Sequence, residues 1–290
     1  REAIDDLTLD ADVSEEQLRQ VAESSMTGKG TGDVAASTLA ETVVAAIEHV
    51  REGRVSRENI TIHTQTGASS SATDLVEGVI VDEEPAHDNM PRSVGTPTVA
   101  VVDNDIDLKE SSIDAEYNIT EADQLNEAMA AEEEELKGYV DRIDSIGAKV
   151  VFVTGDIADR AKAFLAKRGI LAFESVGDDD AKSIASATGA SRAGSVDDLA
   201  EDDLGEADEI SVQKFGDDEL AFVEGGTAAR SVTVFARGGT EHVVDELERA
   251  LNDALDVVVA ALGEDGVVPG AGATEIAIAD HIRSEAASIE

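Results

Sequence analysis

The chain has 290 residues, enough for a sizeable core and more than one domain, and 42% of them are hydrophobic. Its 64 acidic residues against 22 basic ones give a formal net charge of -42, a surface that repels nucleic acid and anionic lipid, so neither is expected as a partner. With no cysteine and five dispersed histidines it offers no disulfide framework and no metal-ligand spacing, and no apolar run is long enough to span a membrane.

An acid-rich chain poor in aromatics can be disordered, yet the apolar residues here fall in periodic blocks. The expectation is a folded, halophilic, cytoplasmic protein. At about 1 M ionic strength the Debye length falls to roughly 3 Å, and like charges a helix turn apart hardly repel. The chain opens on Arg1-Glu2-Ala3-Ile4, with neither a methionine nor a signal sequence, and reads as part of something longer.

In chain order, Ser14-Glu15-Glu16 supplies an N-cap and an acidic first turn for a helix reaching about Ser25, and the run Thr27 to Asp33 breaks it. From Val34 to Arg51, Leu39, Val43, Val44, Ile47 and Val50 recur at helical spacing. Ile60 to His63 reads as a short strand, and the small polar residues Thr64 to Ser71 as a hinge or linker. The middle third is α/β: β-branched runs at 75–81, 98–102, 149–153 and 170–173 alternate with helical stretches at 121–146 and 157–168. Val150-Val151-Phe152-Val153 is apolar throughout, as in a strand covered on both faces. Ile210–Lys214 and Leu220–Val223 flank a hairpin turn at Gly216-Asp217-Asp218. The last third gives a strand at Val232–Phe235, a helix from Thr240 to about Leu262 and another from Ile276 to Ala287. The expected fold is α/β, with a sheet domain inserted into a mainly helical one.

Three motifs invite chemistry, and each has a plainer reading. Gly28-Lys29-Gly30-Thr31 looks like a phosphate loop but lacks the first glycine of a Walker A motif, so a helix–helix loop with a solvated lysine is the alternative. Gly270-Ala271-Gly272 is a fragment of a dinucleotide fingerprint, with Glu275 in place of the last glycine; a helix-capping loop after Pro269 serves equally well. Asp253 is one acid among many on its helix, and local pattern does not separate it from Asp245 or Asp256. In the helix at 121–146, the acidic run Glu132–Glu135 reads as a solvated face, while Leu125, Met129, Leu136 and Tyr139 could form an adaptable apolar edge.

Several stretches are informative together. They are Ser25-Met26-Thr27-Gly28-Lys29-Gly30, Leu75-Val76-Glu77-Gly78-Val79-Ile80-Val81-Asp82, Met90-Pro91 and Ile113-Asp114-Ala115-Glu116. Gly147-Ala148-Lys149-Val150-Val151-Phe152, Ala166-Lys167-Arg168-Gly169-Ile170, Arg237-Gly238-Gly239-Thr240-Glu241 and Val268-Pro269-Gly270-Ala271-Gly272-Ala273 follow in order. In this order they resemble the group II chaperonins, and within them the archaeal thermosomes. The resemblance implies an intermediate domain in two halves (1–65 and 227–265). It also implies an apical substrate-binding domain at 66–226, with a helical protrusion near 114–146, and the start of a C-terminal equatorial segment at 266–290.

The resemblance further implies an ATP-dependent chaperone subunit that encloses unfolded protein clients and assembles with other subunits in a double ring. Asp253 aligns with the aspartate that orients or deprotonates the water attacking the γ-phosphate, and Lys29 with the lysine that senses that phosphate. Gly270 and Gly272 align with the turn touching the ribose and base of ATP. Ala271 departs from the middle glycine and requires negative φ there. Hinges for apical rotation are expected near Gly67 and Gly225-Gly226. The family's Gly-Asp-Gly-Thr-Thr phosphate loop and the aspartate that holds Mg²⁺ do not occur in this sequence, so this stretch alone is expected not to hydrolyse ATP. Two alternatives stand beside this reading: a passive module that holds unfolded protein without ATP, and a Rossmann-like nucleotide-binding enzyme.

Overall fold

The computed structural model describes residues 4, 14–32, 34–51, 57–108, 122–226, 231–263, 267–268, 270 and 272–288, without the side chains of 58, 122–128, 287 and 288. The chain folds as two compact units, one made of Arg1–Leu75 with Val234–Glu290, the other of Val76–Thr233. The second is thus inserted in the sequence of the first. The expected stretch Ile113–Glu116, the first part of the expected protrusion, Asp33, Pro269 and Ala271 lie outside the described residues.

The N-terminal part holds helices α1 (Glu15–Met26) and α2 (Ala36–Val50) and strands β1 (Ile60–Thr66) and β2 (Asp74–Val76). A capping box starts α1: Ser14 Oγ accepts from the Gln17 amide at 3.3 Å, and Gln17 Oε1 accepts from the Ser14 amide at 2.8 Å. Leu18, Ala22 and Met26 form its buried stripe. The inserted part holds β3 (Gly78–Val81), β4 (Ser93–Gly95), β5 (Thr98–Val102), α3 (Ala122–Ser145), β6 (Val150–Val153), α4 (Asp159–Lys167) and β7 (Leu171–Phe173). It continues with α5 (Asp178–Thr188), β8 (Arg192–Ala193), β9 (Gly205–Glu206), β10 (Glu209–Phe215) and β11 (Asp218–Glu224). The chain then runs through β12 (Val232–Gly238), α6 (Glu241–Gly263) and α7 (Ala273–Ser288).

In the surrounding unit the strands form a three-stranded sheet ordered β1-β12-β2. Helix α6 packs on α1, α2 and β1. Val244, Leu247, Leu251, Leu255 and Val258 recur every three or four residues and bury one face of α6, leaving its acids on the other.

The inserted unit has two sheets. In one, β7-β6-β5-β8 run parallel, with the pairs Val99–Val150 and Val150–Leu171 in register. Strands β6 and β7 are buried along their whole length, and the Phe152 and Phe173 rings stack at 4.8 Å. Such strands need cover on both faces, which accounts for their unbroken apolar sequence. The other sheet is antiparallel, ordered β3-β11-β10-β4, with the hairpin β10–β11 closed by Gly216-Asp217 and Gly216 at φ +66°.

Three sequence expectations need correction. Residues 64–71 are no linker: β1 continues to Thr66, Gln65 and Ser70 are buried, and the Gly67 amide donates to the Gly238 carbonyl at 2.9 Å. The run 75–81 is two strands, β2 and β3, broken where Gly78 takes φ +146°. The two compact units change over at Leu75/Val76 and Thr233/Val234. The apolar edge of α3 is also smaller than expected: Leu136 is buried and Tyr139 half-buried against the core, Met129 is exposed, and the Leu125 side chain is outside the described residues. Helix α5 escapes the sequence reading because its inward face is only Ala181, Ile184, Ala187 and Thr188, a weak apolar signal behind three aspartates.

Candidate functional site

Lys29 sits on the turn that ends α1. Gly28 reverses the chain at φ +83°, and the Lys29 amide donates to the Met26 carbonyl at 3.1 Å. The following glycines let this loop lie directly on its neighbours. A Cβ at Gly30 would come within 2.7 Å of Glu246 Oε2 on α6. One at Gly32 would meet Ser70 Oγ at 2.2 Å and Val243 Cγ1 at 3.1 Å. With the loop pressed on α6, the Lys29 ammonium ion-pairs with Asp253 Oδ2, 224 residues away in sequence. Both side chains remain open to water, at 33% and 57% exposure, so a ligand can reach either.

A second cation grips the next face of α6. Arg57, in a short 3₁₀ turn before β1, donates from Nη2 to Asn252 Oδ1 at 2.6 Å and from Nε to Asp256 Oδ1 at 3.2 Å. Its Nη1 also donates to the Ile60 carbonyl. Asp253 and Asp256, indistinguishable in sequence, thus have different partners. Nothing in the local sequence marks Arg57, because its role depends on a helix almost 200 residues later.

Gly270 and Gly272 form a separate turn. The Ala273 amide donates to the Gly270 carbonyl at 3.1 Å and the Ile276 amide to Gly272 at 3.0 Å, so the turn opens α7. Gly272 takes φ +83°, and no atom lies within 4 Å of where a Cβ would stand on either glycine. The backbone there is accessible. Of the expected site residues, the fold brings Lys29 and Asp253 into contact and leaves Gly270 and Gly272 in their own loop. Arg237-Gly238-Gly239 has a packing reason: a Cβ at Gly238 would fall 2.7 Å from Val244 Cγ2, and the Arg237 guanidinium lies 5.5 Å over the Phe235 ring.

The inserted unit carries two polar features of its own. A cleft of about 320 Å³ opens where the chain leaves β5 and β8, lined by Asn104, Asp105, Asp107, Tyr139, Ser195 and Asp197 among others. The sheet order places it between β5 and β8, where the order of successive strands reverses, a usual location for a ligand crevice in parallel sheets. On β3's exit, the Glu83 carboxyl is pushed up from its ordinary 4.5 to about 7, first by burial and then by the carboxylates of Asp82, Asp180, Glu174 and Glu84. Asp180 is raised for the same reasons, burial foremost. Among the described residues no group of three or more His, Asp or Glu stands ready to hold a metal, and no helix is long and apolar enough to cross a membrane.

Comparison with known proteins gives a consistent result. The TCP-1/cpn60 chaperonin family matches residues 1–290. Thermosome subunit 3 of Haloferax volcanii is 60% identical, over all of this chain and 56% of that protein. Thermosome subunit alpha of Halobacterium salinarum is 40% identical over 100% of this chain and 52% of its own length. The structure is similar to the open-state monomer of a group II chaperonin from Methanococcoides burtonii, with TM-score 0.75 and 28% identity, covering 100% of this chain and 67% of that one. The chain spans about half the length of the curated relatives it matches.

Proposed function

Because the chain belongs to the TCP-1/cpn60 chaperonin family, we propose that it is the client-holding and nucleotide-sensing part of an ATP-dependent chaperone subunit. The observation that carries this reading is the Lys29–Asp253 pair, which joins the two residues expected to meet the γ-phosphate and its attacking water. Asp253 would accept a hydrogen bond from that water and draw its proton, and Lys29 would exchange its carboxylate partner for a phosphate oxygen. That exchange links the state of the nucleotide to the loop Gly28–Gly32, which lies on α6. The accessible Gly270–Gly272 turn is suited to the ribose and base.

Magnesium is handled differently. It would neutralise phosphate charge when bound, but the described residues provide no cluster to ligate it, so no step is assigned to it within this chain. We assign the inserted unit to the apical, client-binding domain and the unit around it to the intermediate domain, with α7 in the equatorial segment. The cleft beside Tyr139 offers apolar surface and three carboxylates, a combination suited to basic stretches of an unfolded client. Subunits would assemble in a double ring, with ATP turnover closing the protrusions over the client.

The test is ATP turnover and client protection by the complete subunit in molar KCl. Asp253→Asn should abolish hydrolysis and leave ATP binding intact. The 290-residue chain by itself should suppress aggregation of a denatured client without consuming ATP. Turnover by this chain alone would overturn the assignment of phosphate binding to residues outside it. Hydrolysis unaffected by Asp253→Asn would remove Asp253 from the mechanism.

A further inference from the structure

We propose that Arg57 is a positioning residue for Asp253, setting the rotation and height of the α6 turn that presents the carboxylate. This inference rests on the reading of Asp253 given above. Asn252 and Asp256 are spaced i, i+4, so they lie one above the other on the face of α6 adjacent to Asp253. Arg57 bonds to both, and its third contact, to the Ile60 carbonyl, anchors the guanidinium to the first residue of β1. The helix turn is thereby tied to the sheet on either side of Asp253.

Lys29 cannot do this. Among the described residues its side chain pairs with Asp253 through a flexible four-carbon stem, and its proposed role requires it to let go of Asp253 when phosphate arrives. If Lys29 alone held the turn, the carboxylate would lose its reference at the moment it is needed. A guanidinium has its donors in a fixed planar fork, which three acceptors at set positions exploit and an ammonium does not. Arg57 and Asp256, at 32% and 67% exposure, are as open to solvent as Lys29 and Asp253, at 33% and 57%, so the hold of Arg57 comes from three acceptors engaged at once and not from burial. Misplacement of a reacting group by about 1 Å can cost on the order of a hundredfold in rate. Loosening one helix turn should cost less, about tenfold.

The experiment compares Arg57→Ala, Arg57→Lys and Asp253→Asn in the complete, assembled subunit in molar KCl. It measures kcat and KM for ATP, with ATP affinity and melting midpoint recorded for each variant. Arg57→Ala should lower kcat about tenfold with KM within twofold of the parent, and Arg57→Lys should recover only a minor part of the loss. A kcat for Arg57→Ala within twofold of the parent, while Asp253→Asn is inactive, overturns the role of Arg57 alone. A higher KM at unchanged kcat, or a loss matched by the loss of folded subunit, overturns it as well. An active Asp253→Asn instead overturns the reading beneath it.

Discussion

The inserted unit is centred on strands that are apolar and buried on both faces, whereas the candidate site of the unit around it rests on charged side chains reaching one helix from two loops. Val99 to Val102 and Val150 to Val153 pair without a polar side chain between them. Lys29 and Arg57, by contrast, meet Asp253 and Asp256 where water and salt have access. The first arrangement stabilises a fold and has no need to change. In the second, the Lys29–Asp253 pair is weak enough to be exchanged for a ligand, which a residue that senses a phosphate must allow. Salt acts on the two in opposite senses. It screens the ion pairs on α6, but it also relieves the crowd of carboxylates around Glu83 and the overall charge of -42.

The largest effect that could break this contrast is on the whole fold. The chain should lose its fold in dilute buffer and regain it in molar KCl, where the amides of β5 and β6 should be the last to exchange. A melting midpoint that stays level between the two would show that charge repulsion is not the dominant cost. Next in size are two glycine substitutions, one in each unit. Gly78→Ala places a Cβ 2.0 Å from the Val223 carbonyl oxygen at φ +146°, a collision with backbone that should cost roughly 3 kcal/mol or more in denaturant titration. Gly32→Ala, at φ +65°, meets side chains and not backbone (Ser70 Oγ and Cβ and the Val243 methyl), of which the hydroxyl and methyl can rotate away, and should cost about 1–2 kcal/mol. If Gly32→Ala proved the more damaging, the loop on α6 would be more rigid than its exposed lysine implies.

A smaller effect concerns pH. The folded chain holds the Glu83 proton more tightly than the unfolded chain, so this group favours folding at low pH. That contribution declines as pH rises from about 4.5 to about 7. Glu83→Gln should flatten this part of the stability–pH curve and raise stability at pH 8. Molar KCl should shrink the same slope in the parent, since neighbouring carboxylates cause part of the shift, and leave the part due to burial. The smallest effect is expected for Lys29→Ala, about 0–1 kcal/mol in stability, because the pair it breaks is solvent-exposed. A larger loss would mean that the pair is structural and not a contact held for exchange.

Much of the architecture was legible in the sequence because its signals are local. The β-branched runs became β5, β6 and β7, and the stripe from Val244 to Val258 became the inner face of α6. The misread stretches are those whose conformation depends on a distant partner. Thr64 to Ser71 looks like a linker until Gly238 supplies a hydrogen-bond acceptor and α6 closes over Gly32. Gly78 looks like an ordinary member of one strand until β11 approaches its backbone. Asp253 was singled out by resemblance and not by chemistry, since what distinguishes it from Asp256 is a lysine 224 residues earlier. Arg57 had no signal at all.

One hydrogen bond has a consequence for how this molecule can be taken apart. Thr233 Oγ1 donates to the Gly78 carbonyl at 2.8 Å, which fastens the last residue of the inserted unit to the third. The piece that interrupts its host therefore begins and ends at one point. A chain excursion of this kind can be cut out as a cassette, its ends joined by a few residues into a circle, or a different sequence spliced into the same gap. Loop-closure entropy grows only with the logarithm of length, so the host is little penalised by the size of what it carries. Evolution, like a protein engineer, could exchange the contents without redesigning the frame.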